Sequence, residues 1–363
     1  MAEDFLRNLV QERLDSFCDS KRAELVAISE DLEPIIDYTQ VLLSGGKRFR
    51  ALFAYQAFAG LSQQLTPLTK DSPIIGIAAA LEVFHAAALV HDDLLDQSDT
   101  RRGDPSIHKK FQALHEMHSY AGSSERFGVA GSVLVGDLML SWSSEIFGEA
   151  LLRVSNEEIE ANCRTEFSKM RFEVMAGQYL DVLEENAGPT KDPSQAVARA
   201  NKVILYKSAK YSLEAPLLIG ASFAGADQNA LRMISNFGIP LGMAFQLRDD
   251  VLGVFGDPKV TGKPAGDDLR EGKRTVLVGL TLEAAPKSVG KIFEELLVSG
   301  DLDQGQVEFM RATIRESGAL DKTERLIAEH SRSSIEALAA LEISDSGRKE
   351  LADLADAVIH RSK

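Results

Sequence analysis

The stretch Asp92-Asp93-Leu94-Leu95-Asp96 sets two carboxylates four residues apart. On a helix they share one face, one turn from each other. The helix must end soon afterwards, at Gly103-Asp104-Pro105, so these acids, with Asp99, stand near a helix C-terminus. The macrodipole is already negative there, and each exposed acid costs about 0.3–1 kcal/mol. A bound divalent cation reverses that sign. A lone DDxxD is as readily a solvated acidic helix end, but a second pair, Asp249-Asp250, closes another long apolar helix. It is followed by Phe255-Gly256-Asp257-Pro258 and a Gly-rich loop with Lys263, Asp267 and Asp268. Carboxylate oxygens without thiolates or a tight histidine cluster suit a hard cation. Mg²⁺ takes one or two protein carboxylates and completes its shell with water and phosphate oxygens. Two acidic shelves facing one cavity would hold a diphosphate through bridging Mg²⁺.

Basic residues gather where that chemistry wants them. Gly45-Gly46-Lys47-Arg48-Phe49-Arg50 opens a helix and offers backbone N–H groups beside cationic side chains. Arg101-Arg102-Gly103 follows the first acidic motif at once, and guanidinium forks match phosphate oxygens. Lys207 and Lys210 lie in Tyr206-Lys207-Ser208-Ala209-Lys210-Tyr211. Any one of these pairs alone reads as solvated surface charge; together they favour an anionic ligand. His85, seven residues before Asp92, shares its helix face about 10 Å along the axis. His91, His108 and His115 have no metal-ligand spacing and read as structural.

The elements that must carry these groups are helices. Ile74, Ile77, Ala78, Leu81, Phe84, His85, Ala88 and Leu89 keep helical steps, as do Leu231, Ile234, Phe237, Gly238, Leu241, Gly242 and Phe245. Further amphipathic segments run around Ile292–Val298, Val307–Ile314, Leu326–Leu341 and Leu351–Ile359, and strand alternation with hairpin dipeptides is absent. No long linker divides the 363 residues, which predicts an all-α protein with one large domain over 1–363. The chain has 55 Asp and Glu against 40 Lys and Arg, a net charge of −15, which argues against a nucleic-acid partner. Two cysteines, Cys18 and Cys163, exclude a disulfide framework and a thiolate zinc site. The acidic start Met1-Ala2-Glu3-Asp4 is unlike a signal peptide. The most apolar runs, Ile74–Leu81 up to Glu82 and Ala215–Ala226, are short for a membrane span. A soluble, cytoplasmic protein is expected.

In order and spacing these pieces resemble the trans-isoprenyl diphosphate synthases, a polyprenyl synthetase family, from about Pro34 to Val278. The matching pieces are Gly45–Arg50, His85, Asp92–Asp96 with Arg101-Arg102-Gly103, Gly177-Gln178-Tyr179-Leu180-Asp181, Lys207-Ser208, Phe245–Asp250 and Gly262-Lys263. The wording of the second acidic motif is most similar to actinobacterial geranylgeranyl diphosphate synthases. The resemblance implies a bundle of mostly antiparallel helices around a central active-site cavity, usually a homodimer. It implies two Mg²⁺ ions on Asp92 and Asp96 and a third on Asp249, with Asp93, Asp250 and Asp267 in support. Arg101, Lys207 and Lys263 would contact the allylic diphosphate (dimethylallyl, geranyl or farnesyl), with Gln178, Asp181, Ser208 and Gln246 lining that site. Lys47, Arg50, His85 and Arg102 would hold isopentenyl diphosphate. One departure stands: the fifth position of the second motif is Gly253 where the family usually has Asp.

The growing chain would run along the helix before Asp92. Ala87 and Ala88 are small where bulky aromatics stop family members at C15, and Phe84 is the next bulky floor. One helix turn, about 5.4 Å, approximates one isoprene unit. The expected product is therefore C20, geranylgeranyl diphosphate, with farnesyl or longer-chain synthases as the neighbouring readings. A terpene cyclase has no use for the second diphosphate site of Lys47, Arg50 and Arg102. An inactive partner subunit would not need so complete a set of acids. The basic end Arg361-Ser362-Lys363 reads as a frayed tail.

Overall fold

The structure, a computed structural model, describes residues 2–62, 67–257, 266–300 and 302–359. It divides into two compact units, Met1–Asn162 with Phe223–Gly225, and Cys163–Ser222 with Ala226–Lys363. Lys263, most of the loop before Gly266 and the terminal Arg361-Ser362-Lys363 lie outside the described residues.

The first unit contains α1 (Ala2–Ile28), α2 (Glu33–Leu43), α3 (Phe49–Leu61), α4 (Pro73–Leu95), α5 (Ile107–Met117) and α6 (Ser124–Leu151). Helix α4 is apolar almost all round and is accordingly central, packed by α1, α3 and α6. Ile75, Ile77 and Leu81 are wholly buried, each contributing about 1.5–3 kcal/mol. Glu82 does not end this run, as the buried carboxylate is partnered and the helix continues to Leu95. By length and composition α4 and α6 could each cross a membrane, but 78% of the apolar window of α4 is buried within the protein and 39% of that of α6. That burial marks α4 as a core helix.

A miniature hairpin follows α4, with β1 (Thr100–Arg101) antiparallel to β2 (Asp104–Pro105). Its turn is Arg102 (φ 54°) and Gly103 (φ 84°), the two left-handed residues of a type I′ connection. The hairpin leaves no mark in the sequence, because Arg-Gly is not among the usual turn dipeptides and two-residue strands have no alternation to read. Helix α4 ends in a Schellman motif with Gln97 left-handed at φ 53°: Ser98 N–H donates to Asp93 O at 2.9 Å.

The second unit holds most of α7 (Glu157–Ala187), then α8 (Ala196–Val203), a π-helical segment over Ile204–Glu214, α9 (Ala215–Phe223) up to Ser222 and α10 (Gln228–Phe255). After these come α11 (Asp267–Arg270), α12 (Val276–Ala284), α13 (Lys287–Ser299), α14 (Gln304–Glu316), α15 (Ala319–Ala340) and α16 (Asp345–Ile359). Contrary to expectation, Asp249-Asp250 does not close α10. Buried Val251 and Val254 extend its apolar stripe to Phe255, and Gly256 N–H caps it on Leu252 O at 2.8 Å. The apolar run from Ala215 is helical and buried through Ser222.

Candidate active site

Helix α4 keeps a partly accessible stripe within its buried body: His85, Ala88, Leu89 and Asp92, continued by Asp96 just beyond its last turn. These positions fall on one helical face. Asp93 turns the other way, is 2% exposed, and accepts two hydrogen bonds from Arg101, one of them from Nε at 2.9 Å. Burial alone would lower the Arg101 pKa. The Asp93 bond, with the charges of Asp93, Asp92 and Asp96, raises it instead, so the guanidinium stays charged. The first motif thus divides its labour: Asp93 fastens the hairpin while Asp92 and Asp96 stand on the accessible side.

The basic loop is built onto the same unit. Gly45 and Gly46 take φ of 68° and 93°, and Arg48 is left-handed at 54° directly before α3. Arg48 is buried and braced from three sides: Glu82 Oε2 at 3.3 Å, Gln11 Oε1 at 2.7 Å and the Leu43 carbonyl. Glu82 Oε1 also accepts from Ala51 N–H at 3.2 Å, so this donor of the helix N-terminus is already taken. Gly46 suits the left-handed conformation and lies against Arg102, since a Cβ there would be 3.3 Å from the guanidinium. Arg50 and Arg102 converge on His85. Burial, then the charges of Arg50, Arg102, Arg101 and Arg48, hold the imidazole well below its ordinary pKa, and so neutral. Lys47 is exposed on this loop, 5.8 Å from the centre of the Phe49 ring.

The three histidines read as structural, His91, His108 and His115, each have a contact in the first unit. His108 Nδ1 meets Ser106 Oγ at 3.1 Å, His115 Nε2 meets Ala121 O at 3.3 Å, and the His91 ring fills the space above Gly136. Of the chain-length residues, Ala87 and Phe84 are buried at 0% and 1% exposure, while Ala88 is partly accessible.

In the second unit Lys207 donates to Asp181, joining two pieces that lie 26 residues apart. The contact depends on Gly177, because a Cβ there would stand 2.8 Å from Lys207 Cα. On α10 a Cβ added at Gly242 would stand 2.7 Å from Ala209 Cβ, and one added at Gly238 would stand 3.0 Å from Glu214 Cα. Three glycines from α7 and α10 therefore admit the π-helical segment that carries Lys207 and Ser208. Such segments leave the regular i−4 ladder and recur at functional sites. Pro216, just past it, has no N–H to return to the Ser212 carbonyl. Gln178 is part-buried, and its Nε2 has no hydrogen-bond partner among the described residues.

On α10, Asp249 is partly accessible and Asp250 is 4% exposed. Asp250 Oδ1 accepts from Gln246 Nε2 at 2.9 Å, and Oδ2 is buried without a partner among the described residues. Burial, with the charges of Asp268 and Asp249, pushes the Asp250 carboxyl well above the usual range. Carboxylates gathered in this way suit a divalent ion. Among the described residues no three acidic, histidine or cysteine side chains form a closed metal cage. Few protein ligands is what Mg²⁺ accepts when phosphate oxygens supply the rest.

Three features escaped the sequence reading: the Arg48–Glu82 brace, the glycine seats of the π segment and the hairpin. The signals present were a lone Glu inside an apolar run and glycines four apart on one helical face at 238 and 242.

A sequence model of the polyprenyl synthetase family matches residues 32–314. A geranylgeranyl diphosphate synthase of Sulfolobus acidocaldarius is 32% identical over 347 residues, 93% of each chain. A geranylfarnesyl diphosphate synthase of Aeropyrum pernix is 30% identical, covering 89% of this chain and 92% of its own. The crystal structure of geranylgeranyl pyrophosphate synthase from Corynebacterium glutamicum, complexed with isoprenyl diphosphate and magnesium, superposes with a TM-score of 0.92. It is 35% identical and aligns over 99% of this chain and 100% of its own.

Proposed function

The chain belongs to the polyprenyl synthetase family, and from that premise we propose a head-to-tail trans-prenyltransferase that condenses isopentenyl diphosphate with an allylic diphosphate to give geranylgeranyl diphosphate. The observation that carries this reading is the first unit's juxtaposition of Asp92 and Asp96 with a basic set built around Gly46, Arg50, Arg102 and neutral His85. A terpene cyclase needs the acids alone. A condensing enzyme needs a second diphosphate site, and Lys47, Arg50 and Arg102 are its residues.

Asp92, Asp96 and Asp249 are assigned to divalent metal, three Mg²⁺ per site, with Asp93 and Asp250 in support. When bound, the metal neutralises and orients the allylic diphosphate as a leaving group. Arg101 and Lys207 bind that diphosphate, with Lys263, and stabilise the charge it gains. Asp181 orients Lys207, and Gln178 and Gln246 offer amide dipoles. Lys47, Arg50, His85 and Arg102 hold isopentenyl diphosphate, His85 as a neutral hydrogen-bonding group. The leaving diphosphate takes the bonding electron pair and leaves an allylic cation, which the isopentenyl double bond attacks. The new C–C bond leaves a tertiary cation, and loss of a proton to the released diphosphate restores a double bond. Carbonyl dipoles of the π segment near Lys207 and Ser208 suit the cation, and exclusion of water protects it. We further propose that residues 1–363 act as one catalytic domain, in the cytoplasm.

Incubation of the purified chain with isopentenyl diphosphate, Mg²⁺ and each allylic primer in turn, followed by product chromatography, tests the reading. Absence of condensation by the chain alone would favour an inactive partner subunit. Ala88, accessible one turn before Asp92, lies along the path of the growing chain, with Phe84 beneath as the floor. Ala88→Phe is expected to shift the main product from C20 to C15. An unchanged product ladder would overturn this assignment.

A homodimer accords with apolar side chains left exposed on two long helices. Phe172, Met175 and Tyr179 on α7 are 74%, 50% and 67% exposed, and Leu134 on α6 is 59% exposed. Phe172→Glu is expected to convert the dimer to monomer in light scattering after gel filtration; a wild-type monomer would refute the dimer.

A further inference from the structure

Lys210, three residues after Lys207 in the π segment, carries a charge that the proposed reaction leaves unused. Its Nζ donates to Glu173 Oε1 on α7 at 2.6 Å, and Glu214 Oε2 lies 4.0 Å away. Burial by itself would lower the Lys210 pKa. The Glu173 bond and the charges of Glu214 and Glu173 raise it instead, so the ammonium persists. Glu214 is 4% exposed and accepts from Ser235 Oγ on α10. The partners form a pattern along α7. Glu173, Gly177 and Asp181 stand four apart on one face, so the two acids are about 12 Å apart along the axis with the glycine seat midway. Lys207 reaches to Asp181 at one end of this stripe, and Lys210 to Glu173 at the other. The two ion pairs pull the segment in opposite directions along α7, and each resists the slide that the other would permit. On α10, Ser235 and Gly238, three residues apart, meet the end of the segment at Glu214.

We infer that Lys210 is a positioning residue for the allylic diphosphate: with Glu173 and Glu214 it holds the π segment in register, and through the segment it sets where Lys207 presents its ammonium. The inference rests on the prenyltransferase reading and deepens it. In that reading Lys207 turns part of its bonding capacity to the diphosphate, which loosens its hold on Asp181. The Lys210 anchor has no such second task, so it keeps the register while Lys207 changes partners.

The test measures binding of the thiolo analogue of geranyl diphosphate, which does not turn over, to the full-length protein in excess Mg²⁺ by calorimetry. The KM for isopentenyl diphosphate and the Tm of each variant are recorded in parallel. Lys210→Met keeps the stem and removes the charge. It is expected to weaken analogue binding about tenfold, as a misplaced binding group does. The KM for isopentenyl diphosphate should stay within about twofold of wild type. The same change in a Lys207→Met background should cost less than about twofold, because the residue it positions is gone. Glu173→Gln keeps the volume and a hydrogen-bonding oxygen, and should weaken analogue binding about threefold; it carries the test should Lys210→Met not fold. Unchanged analogue binding in the single variants, where the wild type binds, overturns this inference alone. So does an equal loss with Lys207→Met present, or a fall in Tm with both substrates weakened alike, which marks a merely structural role. A wild-type protein without Mg²⁺-dependent binding of the analogue overturns the prenyltransferase reading, and this inference with it.

Discussion

Asp92→Ala is expected to lower kcat by about 10³-fold, roughly 4 kcal/mol of transition-state stabilisation, while leaving the fold intact. Asp92 is on the accessible stripe of α4, and its carboxylate is next to a helix end whose dipole disfavours it. Removing it takes away a charge that the helix dipole disfavours and that supports the Arg101 guanidinium, two effects of opposite sign on stability. The expected signature is a collapse of turnover with a Tm close to that of wild type. Asp93→Ala should behave differently. It leaves the Arg101 guanidinium without its buried partner, so it should cost about 3–5 kcal/mol of stability as well as activity. Steady-state kinetics with melting curves on both variants separates the roles. Turnover of Asp92→Ala within tenfold of wild type would remove Asp92 from the catalytic set.

A large effect on stability is also expected at a residue that makes no proposed contact with substrate. Glu82 and Arg48 are 5% and 7% exposed, and Glu82 serves both the Arg48 guanidinium and the Ala51 N–H. Glu82→Ala strands a buried charge and uncaps the first turn of α3. Gln11 and the Leu43 carbonyl still hold part of Arg48, so the loss should be about 3 kcal/mol, at the lower end for a broken buried pair. The loop from Gly45 to Arg50 is set by this brace, so Glu82→Gln, which keeps a hydrogen-bonding oxygen, should recover part of the stability. It should raise KM for isopentenyl diphosphate more than it lowers kcat. Chemical denaturation and substrate-dependence curves supply both readouts. An equal fall in kcat with KM unchanged would place Glu82 outside substrate binding.

Much of the site was legible because its chemistry is written in short, local patterns. Asp92 and Asp96 fall four apart on one helix, the Arg pair follows them, and helical periodicity through Phe84 and Ala88 orders the chain-length residues. Glu82 was legible only as an oddity: a single charge in an apolar run states that a partner exists without saying which. Arg48 is 34 positions away, and only packing joins them. The end of α10 was misplaced because adjacent acids suggested a terminus, whereas Val251 and Val254 continue the buried stripe.

By itself the sequence determined the helical class, the family, the order of the acidic and basic pieces and the absence of an acid at position 253, since each is fixed by residue type and spacing along one chain. Tertiary structure decided which acids face outward and which are spent on fastening, where three glycines let the π segment approach, and which acids of α7 meet its two lysines. Those outcomes depend on excluded volume and on charge burial between segments far apart in the chain, and neither quantity exists until the segments meet.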